Sequence, residues 1–366
     1  MRTRTLPDEQ RGIAYEGPDI VTMLRVYGTA LEFPLPRDVT RFTLGSSRDN
    51  DIAIPTEFLS ALHCVLERRG PKLRVHDQNT KNGTFLDERR ESVFDLRPGD
   101  TFMAASIRFL GMNDEMQAAY PTLVDLLGTE DEHVLHAASS ITPSPSDLLV
   151  AATKQHNILI LGEPGCDHAR LAHTIHEVSL LRGRALVEIA RPPDDRAQQR
   201  EIIARAERST LVIAIVPDAP VMDAAFCSMI FSPSYHIRVI ALAPSASKAE
   251  NVLGTAYVRD MRQVLLQPIA RRRGIVPRLL DRMLEDRDAG ISVKDMTTAN
   301  QAALQEYDWP GNFDDLRLAA DRITALARVT SLRKGADALG LSPSSLHYWL
   351  TGVGISWPLV PDAAGR

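Results

Sequence analysis

The sequence predicts a multidomain chain: an all-β sandwich, then a parallel α/β domain, then an all-α end that closes in a helix-turn-helix. Three observations predict it. Between residues 21 and 112, short alternating runs are punctuated by turn residues, as in a sandwich. At 157–180 a run of aliphatics passes through a glycine turn into a helical pattern. From Val276 the spacing is helical throughout, with a sharp turn at Gly340.

Composition sets the bounds. The chain has 366 residues and a formal charge of −5, with 44% hydrophobic and 24% charged residues. That length accommodates two or three domains. Near-balanced charge provides no global basic field, so any contact with nucleic acid must be local. The three cysteines, Cys64, Cys166 and Cys227, are scattered and odd in number. They show no metal-ligand spacing and no disulfide framework. No apolar run approaches the length of a membrane span, and residues 1–20 lack the apolar core of a signal peptide. These features place the protein in the cytoplasm, without a membrane partner. Residues 1–20 read as a disordered lead.

The first domain is expected over 21–112. Its candidate strands are Thr22–Tyr27, Phe42–Leu44, Cys64–Glu67, Leu73–His76 and Thr101–Leu110. Arg48-Asp49-Asn50-Asp51, Arg69-Gly70-Pro71 and Pro98-Gly99-Asp100 supply the turns. Three blocks within it carry a resemblance. Leu44-Gly45-Ser46-Ser47-Arg48-Asp49-Asn50-Asp51-Ile52, Ser60-Ala61-Leu62-His63 and Asp77-Gln78-Asn79-Thr80-Lys81-Asn82-Gly83-Thr84-Phe85 resemble, in order and spacing, the signatures of the forkhead-associated (FHA) domain. The resemblance implies an eleven-stranded sandwich whose loops bind a threonine-phosphorylated protein. It assigns a phosphate-binding hydroxyl to Ser60, a bracing role to His63 and a peptide-holding role to Asn82. The family's arginine after the first glycine is Ser46 here, and the arginine after the serine is Ala61. Charge-assisted bonds to phosphate are about twice as strong as neutral ones. Arg48 and Lys81 are the cations able to compensate, and Ser46, Arg48, Ser60, Thr80, Lys81 and Asn82 form the candidate phosphopeptide set. A sandwich that binds an unphosphorylated partner stays open as an alternative.

Residues 113–141 read as a linker or loose helical connector, ending in the turn-rich Ser139–Ser146. The α/β domain is expected over 142–285. Its candidate strands are Asn157–Leu161, Ala185–Ile189, Thr210–Val216 and Ile237–Leu242, and its candidate helices Asp167–Leu180, Asp195–Glu207 and Val221–Ile230. Strand, Gly162-Glu163-Pro164-Gly165-Cys166-Asp167-His168 and helix make the P-loop arrangement. A working P-loop reads G-x-x-x-x-G-K-[ST]. Gly162 fits the first position, but Asp167 replaces the second glycine and His168 the lysine. The lysine neutralises the β and γ phosphates, and the glycine lets backbone N–H groups close around them. An aspartate at a helix start suits the helix dipole but puts negative charge where phosphate would sit. Gly162, Gly165, Asp167 and His168 therefore read as a degenerate nucleotide site; residual ATP binding without hydrolysis stays open, and no other cofactor or metal is implied.

A second resemblance spans this region and the helical lid expected over 286–328. Pro268–Leu280 is similar to the segment leading into the lid of AAA+ sigma-54 activators, the bacterial enhancer-binding proteins. Glu306-Tyr307-Asp308-Trp309-Pro310-Gly311-Asn312-Phe313-Asp314-Asp315-Leu316 closely resembles that family's YPWPGNVREL signature. The comparison also shows what is missing. The Walker B Asp-Glu pair, which holds magnesium and activates water, is Ala214-Ile215, and apolar side chains cannot bind a hard cation. The sensor strand Arg238–Pro244 lacks its polar Thr-Asn end, and the lid arginine is Asp314. The GAFTGA loop that contacts the sigma factor has no counterpart, since only about 20 residues separate Ile189 from Thr210. With the P-loop, five parts of the ATPase cycle are absent or altered. The expectation is a pseudo-ATPase and no catalytic residue.

The last domain is expected over 329–351. Leu332–Leu339 forms a helix, Gly340 the turn, and Ser342 and Pro343 the N-cap and first position of a second helix. This is the helix-turn-helix pattern, whose second helix reads the major groove. It resembles the Fis-type helix-turn-helix that ends sigma-54 activators. Ser344, Ser345, His347 and Tyr348 are candidates for base contact, and Arg333 and Lys334 for phosphate. The second helix has no Arg or Lys, the side chains that make the commonest base contacts, so a helical hairpin that binds nothing is the rival. Residues 352–366 read as a tail. Arg271-Arg272-Arg273 reads as a solvated loop, with a nucleic-acid patch as the alternative, and Cys166 as an inert buried thiol rather than a redox centre.

The combined expectation is a DNA-binding transcription regulator, homo-oligomeric because helix-turn-helix proteins commonly bind as dimers. Its FHA domain senses a threonine-phosphorylated protein, and its ATPase domain has lost hydrolysis and sigma-54 remodelling. The alternative is a phosphothreonine-reading adaptor or scaffold without DNA binding.

Overall fold

A computed structural model describes residues 20–129, 143–193 and 195–361. Most of the lead, residues 130–142 with the end of the expected 113–141 connector, Asp194 and the last five residues lie outside them. Among the described residues no helix is long and apolar enough to cross a membrane.

The N-terminal part is a sandwich of eleven strands: β1 (Met23–Val26), β2 (Glu32–Pro34), β3 (Arg41–Gly45), β4 (Ile52–Ala53), β5 (Cys64–Arg69), β6 (Lys72–Asp77), β7 (Thr84–Leu86), β8 (Arg89–Arg90), β9 (Val93–Leu96), β10 (Thr101–Ala104) and β11 (Ile107–Met112). They form two sheets, ordered β2-β1-β11-β10-β7-β8 and β4-β3-β5-β6-β9. Alternate residues point inward, and Leu24, Leu44, Leu66, Val75, Phe102 and Phe109 fill the core. The single run expected at Thr101–Leu110 is a hairpin. Phe102 pairs with Phe109 across it, their rings stacked at 5.1 Å, and Ala105 turns the chain at φ +53°. Apolar residues on both arms hide the turn from a reading by pattern.

The described part of the expected connector is a packed helix, α1 (Asp114–Leu127). Asn113 caps its start, accepting from Met116 N at 3.0 Å, and Gly128 ends it at φ +71°. Met116, Leu123, Leu126 and Leu127 bury in the core of the following domain. Its last carbonyls, at Asp125 and Leu126, accept from Arg272 Nη1 at 2.9 and 2.7 Å. The buried Asp125 carboxylate meets Arg282, and Arg278 at 3.2 Å. Of the Arg271–Arg273 run, Arg271 and Arg273 are exposed, as a solvated loop would have them, but Arg272 is not. Arg272 is buried against α1 and Phe313, and Arg273 pairs with Asp308.

The α/β domain begins with α2 (Pro145–Thr153), whose Ser144 and Asp147 form a capping box. It continues through β12 (Ile158–Leu161), α3 (His168–Glu177), β13 (Val187–Ile189), α4 (Arg196–Ala206), β14 (Thr210–Ala214), α5 (Ala224–Ile230), β15 (Arg238–Ala243), α6 (Ala246–Leu253), α7 (Thr255–Asp260) and β16 (Arg262–Leu265). The sheet is parallel, ordered β13-β14-β15-β12-β16. Central strands β12 and β15 are nearly continuous apolar runs because helices cover both faces. Strand β16 pairs on one side only, and among its four residues only Val264 is buried, so its sequence shows no strand pattern.

The lid helices are α8 (Val276–Glu285), α9 (Thr298–Glu306) and α10 (Phe313–Ala327), followed by α11 (Leu332–Ala338) and α12 (Pro343–Val353). The expected tail after residue 351 is part of the lid as far as 361. Val353, Ile355 and Leu359 are buried. Buried Asn300 binds Ser356 and Leu359 carbonyls at 2.9 and 3.1 Å and accepts from Ser356 N at 2.7 Å. One hydrophobic cluster runs from Leu110 and Met112 through α1, α2, half the sheet and the lid to Leu346 and Leu350 of α12.

Trp309, 1% exposed, sits within that cluster and donates from Nε1 to the Leu304 carbonyl at 3.0 Å. Trp309→Ala should cost on the order of 3–5 kcal/mol in urea unfolding. Limited proteolysis should then open α10 and α12 together; release of α12 alone would contradict the shared core.

Candidate functional site

Three loops converge on His63, between β4 and β5. His63 is buried; its Nδ1 accepts from Ser60 N at 3.3 Å, and its Nε2 faces the Gly83 carbonyl at 3.1 Å and Thr80 Oγ1 at 3.3 Å. This network assigns the proton to Nε2. Ser46 N donates to the Ser60 carbonyl at 2.9 Å, and Ser47 N to that of Ala61 at 3.1 Å. Gly45 packs on the same carbonyls, where a Cβ would stand 2.3 Å from Ala61 O. The β3–β4, β4–β5 and β6–β7 loops are therefore fastened to one another.

Of the expected phosphopeptide residues, Arg48, Lys81 and Asn82 are exposed, while Ser46 and Ser60 are half-buried. Thr80 is not on the surface. It is 6% exposed and donates from Oγ1 to Asp77 Oδ1 at 2.7 Å. It braces the loop from inside, and sequence alone cannot tell it from a ligand contact. Burial opposes ionisation of Asp77, but hydrogen bonds from Thr80 and Thr84 prevail and hold its carboxyl below the usual carboxylate range. Arg90, which the sequence did not single out, supports the same loop by donating to the Thr80 carbonyl at 2.8 Å. Asn82 Nδ2 donates to the Phe58 carbonyl at 2.8 Å. Beside it lies a cavity of about 490 Å³ lined by Phe58, Asn82, Phe85, Glu88, Met103, Ala105 and Ser106.

The glycine loop lies between β12 and α3, as a P-loop does. Gly165 (φ +79°) must be glycine, because a Cβ there would stand 2.2 Å from the Gly311 carbonyl of the lid. Asp167 starts α3 with φ +67° and makes no side-chain cap; its carboxylate pairs with Arg317 of α10. His168 does not extend as a lysine would. It folds back beside Gly162 with its Nε2 buried, and burial pushes its pKa down against a backbone hydrogen bond at Gly162. The adjoining cleft, about 370 Å³, is walled by Ala214, Ile215, Val216 and Pro217 after β14 and by Leu242, Ala243 and Pro244 after β15. Magnesium needs oxygen ligands and these strand ends offer only apolar side chains; the carboxylates that line the cleft, Asp167 and Asp314, are both paired with Arg317. Among the described residues no cluster of three or more His, Cys, Asp or Glu could hold a metal. Cys166 is fully buried, and burial pushes its thiol up to about 11, which suits the inert reading.

At the C-terminal end, α11 and α12 meet at Gly340 (φ +65°). Ser342 Oγ caps α12, accepting from Ser345 N at 3.1 Å, and Pro343 occupies the first position. Leu346 and Leu350 turn into the core. Ser344, Ser345, His347 and Tyr348 face solvent, as do Arg333 and Lys334 on α11. The Ser345 hydroxyl also bonds Ser342 Oγ at 2.7 Å.

A model of the FHA domain matches residues 42–104. Among solved structures, NtrX from Brucella abortus in complex with ATP is 18% identical, covers 57% of this chain and 66% of its own, and has a TM-score of 0.40. This chain thus spans just under two thirds of that protein. Mycobacterium tuberculosis EmbR in complex with a low-affinity phosphopeptide is 23% identical over 26% of this chain and 24% of its own, with a TM-score of 0.24. The FHA domain of CT664 from Chlamydia trachomatis is 21% identical over 25% of this chain and 95% of its own, also with a TM-score of 0.24. No curated protein sequence matches the chain. The N-terminal sandwich is an FHA domain.

His156, His168 and His176 all have pKa values pushed below 6.5, chiefly by burial. The unfolded chain therefore binds more protons than the folded one as pH falls below about 6.5, and stability rises with pH across that range. Urea midpoints should drop between about pH 7.5 and pH 5.5, and His168→Gln should flatten the slope by up to about one proton. A slope unaltered by the substitution would show that His168 does not share in it.

Proposed function

We propose that this chain is a DNA-binding regulator. Its FHA domain reads a threonine-phosphorylated protein, and its α/β domain is a scaffold that has lost ATP hydrolysis and sigma-54 remodelling. The observation that carries the reading is the continuous core joining the sandwich end, the sheet, the lid and the terminal helix pair. A candidate phosphopeptide reader and a candidate DNA reader are thus parts of one packed body, which also holds a cleft whose phosphate and magnesium positions carry an aspartate and aliphatic side chains. The molecule assembles at least as a dimer, matching the two-fold symmetry of helix-turn-helix operators.

Phosphate binding falls to Ser60, Arg48 and Lys81, since the family's arginine positions hold Ser46 and Ala61. Hydrogen bonds to charged groups are worth about 1.5–3 kcal/mol. Ser60→Ala, and separately Arg48→Ala with Lys81→Ala, should each weaken binding of a phosphothreonine peptide by about tenfold or more in calorimetry. Equal affinity for phosphorylated and unphosphorylated peptide would contradict the phospho-reader. The rival, an adaptor without DNA binding, is favoured by the absence of Arg and Lys from α12. The two differ in one measurement: a DNA binder loses affinity steeply as salt rises, whereas the adaptor has no such affinity to lose.

A further inference from the structure

The glycine loop and the lid are fastened by contacts that the nucleotide reading does not use. The backbone of Asp167 (φ +67°) turns its carboxylate away from α3, none of whose N–H groups it caps. The carboxylate instead accepts from Nη2 of Arg317, just over one turn into α10. Nη1 of the same guanidinium donates to Asp314 at 2.8 Å, so the cation bridges a loop acid and a lid acid. Backbone contacts flank the pair. Asn312 Nδ2 donates to the Pro164 carbonyl at 3.0 Å, and Phe313 N to the Gly165 carbonyl at 3.0 Å. Asn312 Oδ1 accepts from Ile269 N at 2.8 Å, tying the turn to the strand end beyond β16.

A phosphate at a helix start presents an anion to the backbone and to nearby cations. Here the chain supplies both charges itself. The Asp167 side chain is 13% exposed and that of Arg317 37%, so salt screens the pair less than a surface pair. A triphosphate entering the cleft would have to displace this ion pair and lie beside two carboxylates, Asp167 and Asp314.

We infer that Asp167 is a built-in substitute for a nucleotide phosphate. Together with Arg317 it latches the lid onto the glycine loop, and so holds the terminal helix pair in one position on the α/β domain whatever the nucleotide level. This rests on the reading that the cleft has lost its nucleotide chemistry.

The test is hydrogen–deuterium exchange on the full chain, read at residues 309–316, which include the Phe313 amide bonded to the loop. Asp167→Asn keeps the shape of the side chain, and asparagine tolerates positive φ; Arg317→Gln removes the charge and leaves a shorter polar side chain. Each single change should speed exchange there by about tenfold through local opening. Asp167→Asn combined with Arg317→Gln should exchange no faster than the faster single variant, since both changes remove the same pair. Single variants that exchange at the native rate would overturn the latch, as would a double variant whose effects simply add. Tight binding of a fluorescent ATP analogue with magnesium to the native chain would instead overturn the nucleotide reading beneath it, a separate result from the exchange rates.

Discussion

The turn Trp309-Pro310-Gly311-Asn312 is the contact on which the rest of the molecule depends. Trp309 and Asn312 both take positive φ, at +51° and +54°, which costs a non-glycine residue energy that surrounding contacts must offset. The buried indole packs into the lid, while the Asn312 amide binds both the glycine loop and the segment after β16. One short turn thus fixes three stretches distant in sequence. Where lid and loop are held in this way, α10, α11 and α12 follow, because their apolar faces share its core.

The same contact explains how a P-loop arrangement can persist without its chemistry, as proposed for this chain. The strand, turn and helix are retained because β12 is a buried central strand and Gly165 must admit the lid backbone. The groups that handle phosphate and metal make no such packing contribution and can be lost without unfolding the domain. By the family comparison Ala214 and Ile215 stand where magnesium ligands would, and burial disfavours the charged form of His168. What remains is a frame that carries an FHA domain at one end and an exposed polar helix at the other.

Much of this was legible in the sequence because certain geometries admit few residues. Gly45 and His63 are set by the close approach of three loops, and Ser342, Pro343 and Gly340 by helix capping and a left-handed turn. The features missed were those that depend on contacts across long stretches of chain. Arg272 looked solvated until its partners proved to be the carbonyls that end α1, nearly 150 residues earlier. The Asp167–Arg317 pair spans 150 residues and leaves no local pattern. Strand β16 is an edge with too little buried surface to alternate, and residues 352–361 are held by three scattered apolar side chains and by a buried Asn300 that resembles any other helix asparagine. Thr80 shows the same limit at the site, since its hydroxyl points at Asp77 and not at solvent.

The central claim is that α12 reads DNA from this frame. Its solvent face carries Ser344, Ser345, His347 and Tyr348, the last 82% exposed. The most direct test is genome-wide capture of DNA by the intact protein beside a Ser345→Glu, His347→Glu double variant, whose charges would repel phosphate while leaving the buried face of α12 untouched. The account predicts discrete sites held by the native chain and lost from the variant. No enriched sites, or the same sites in both, would contradict it and leave the phosphothreonine-reading adaptor in its place.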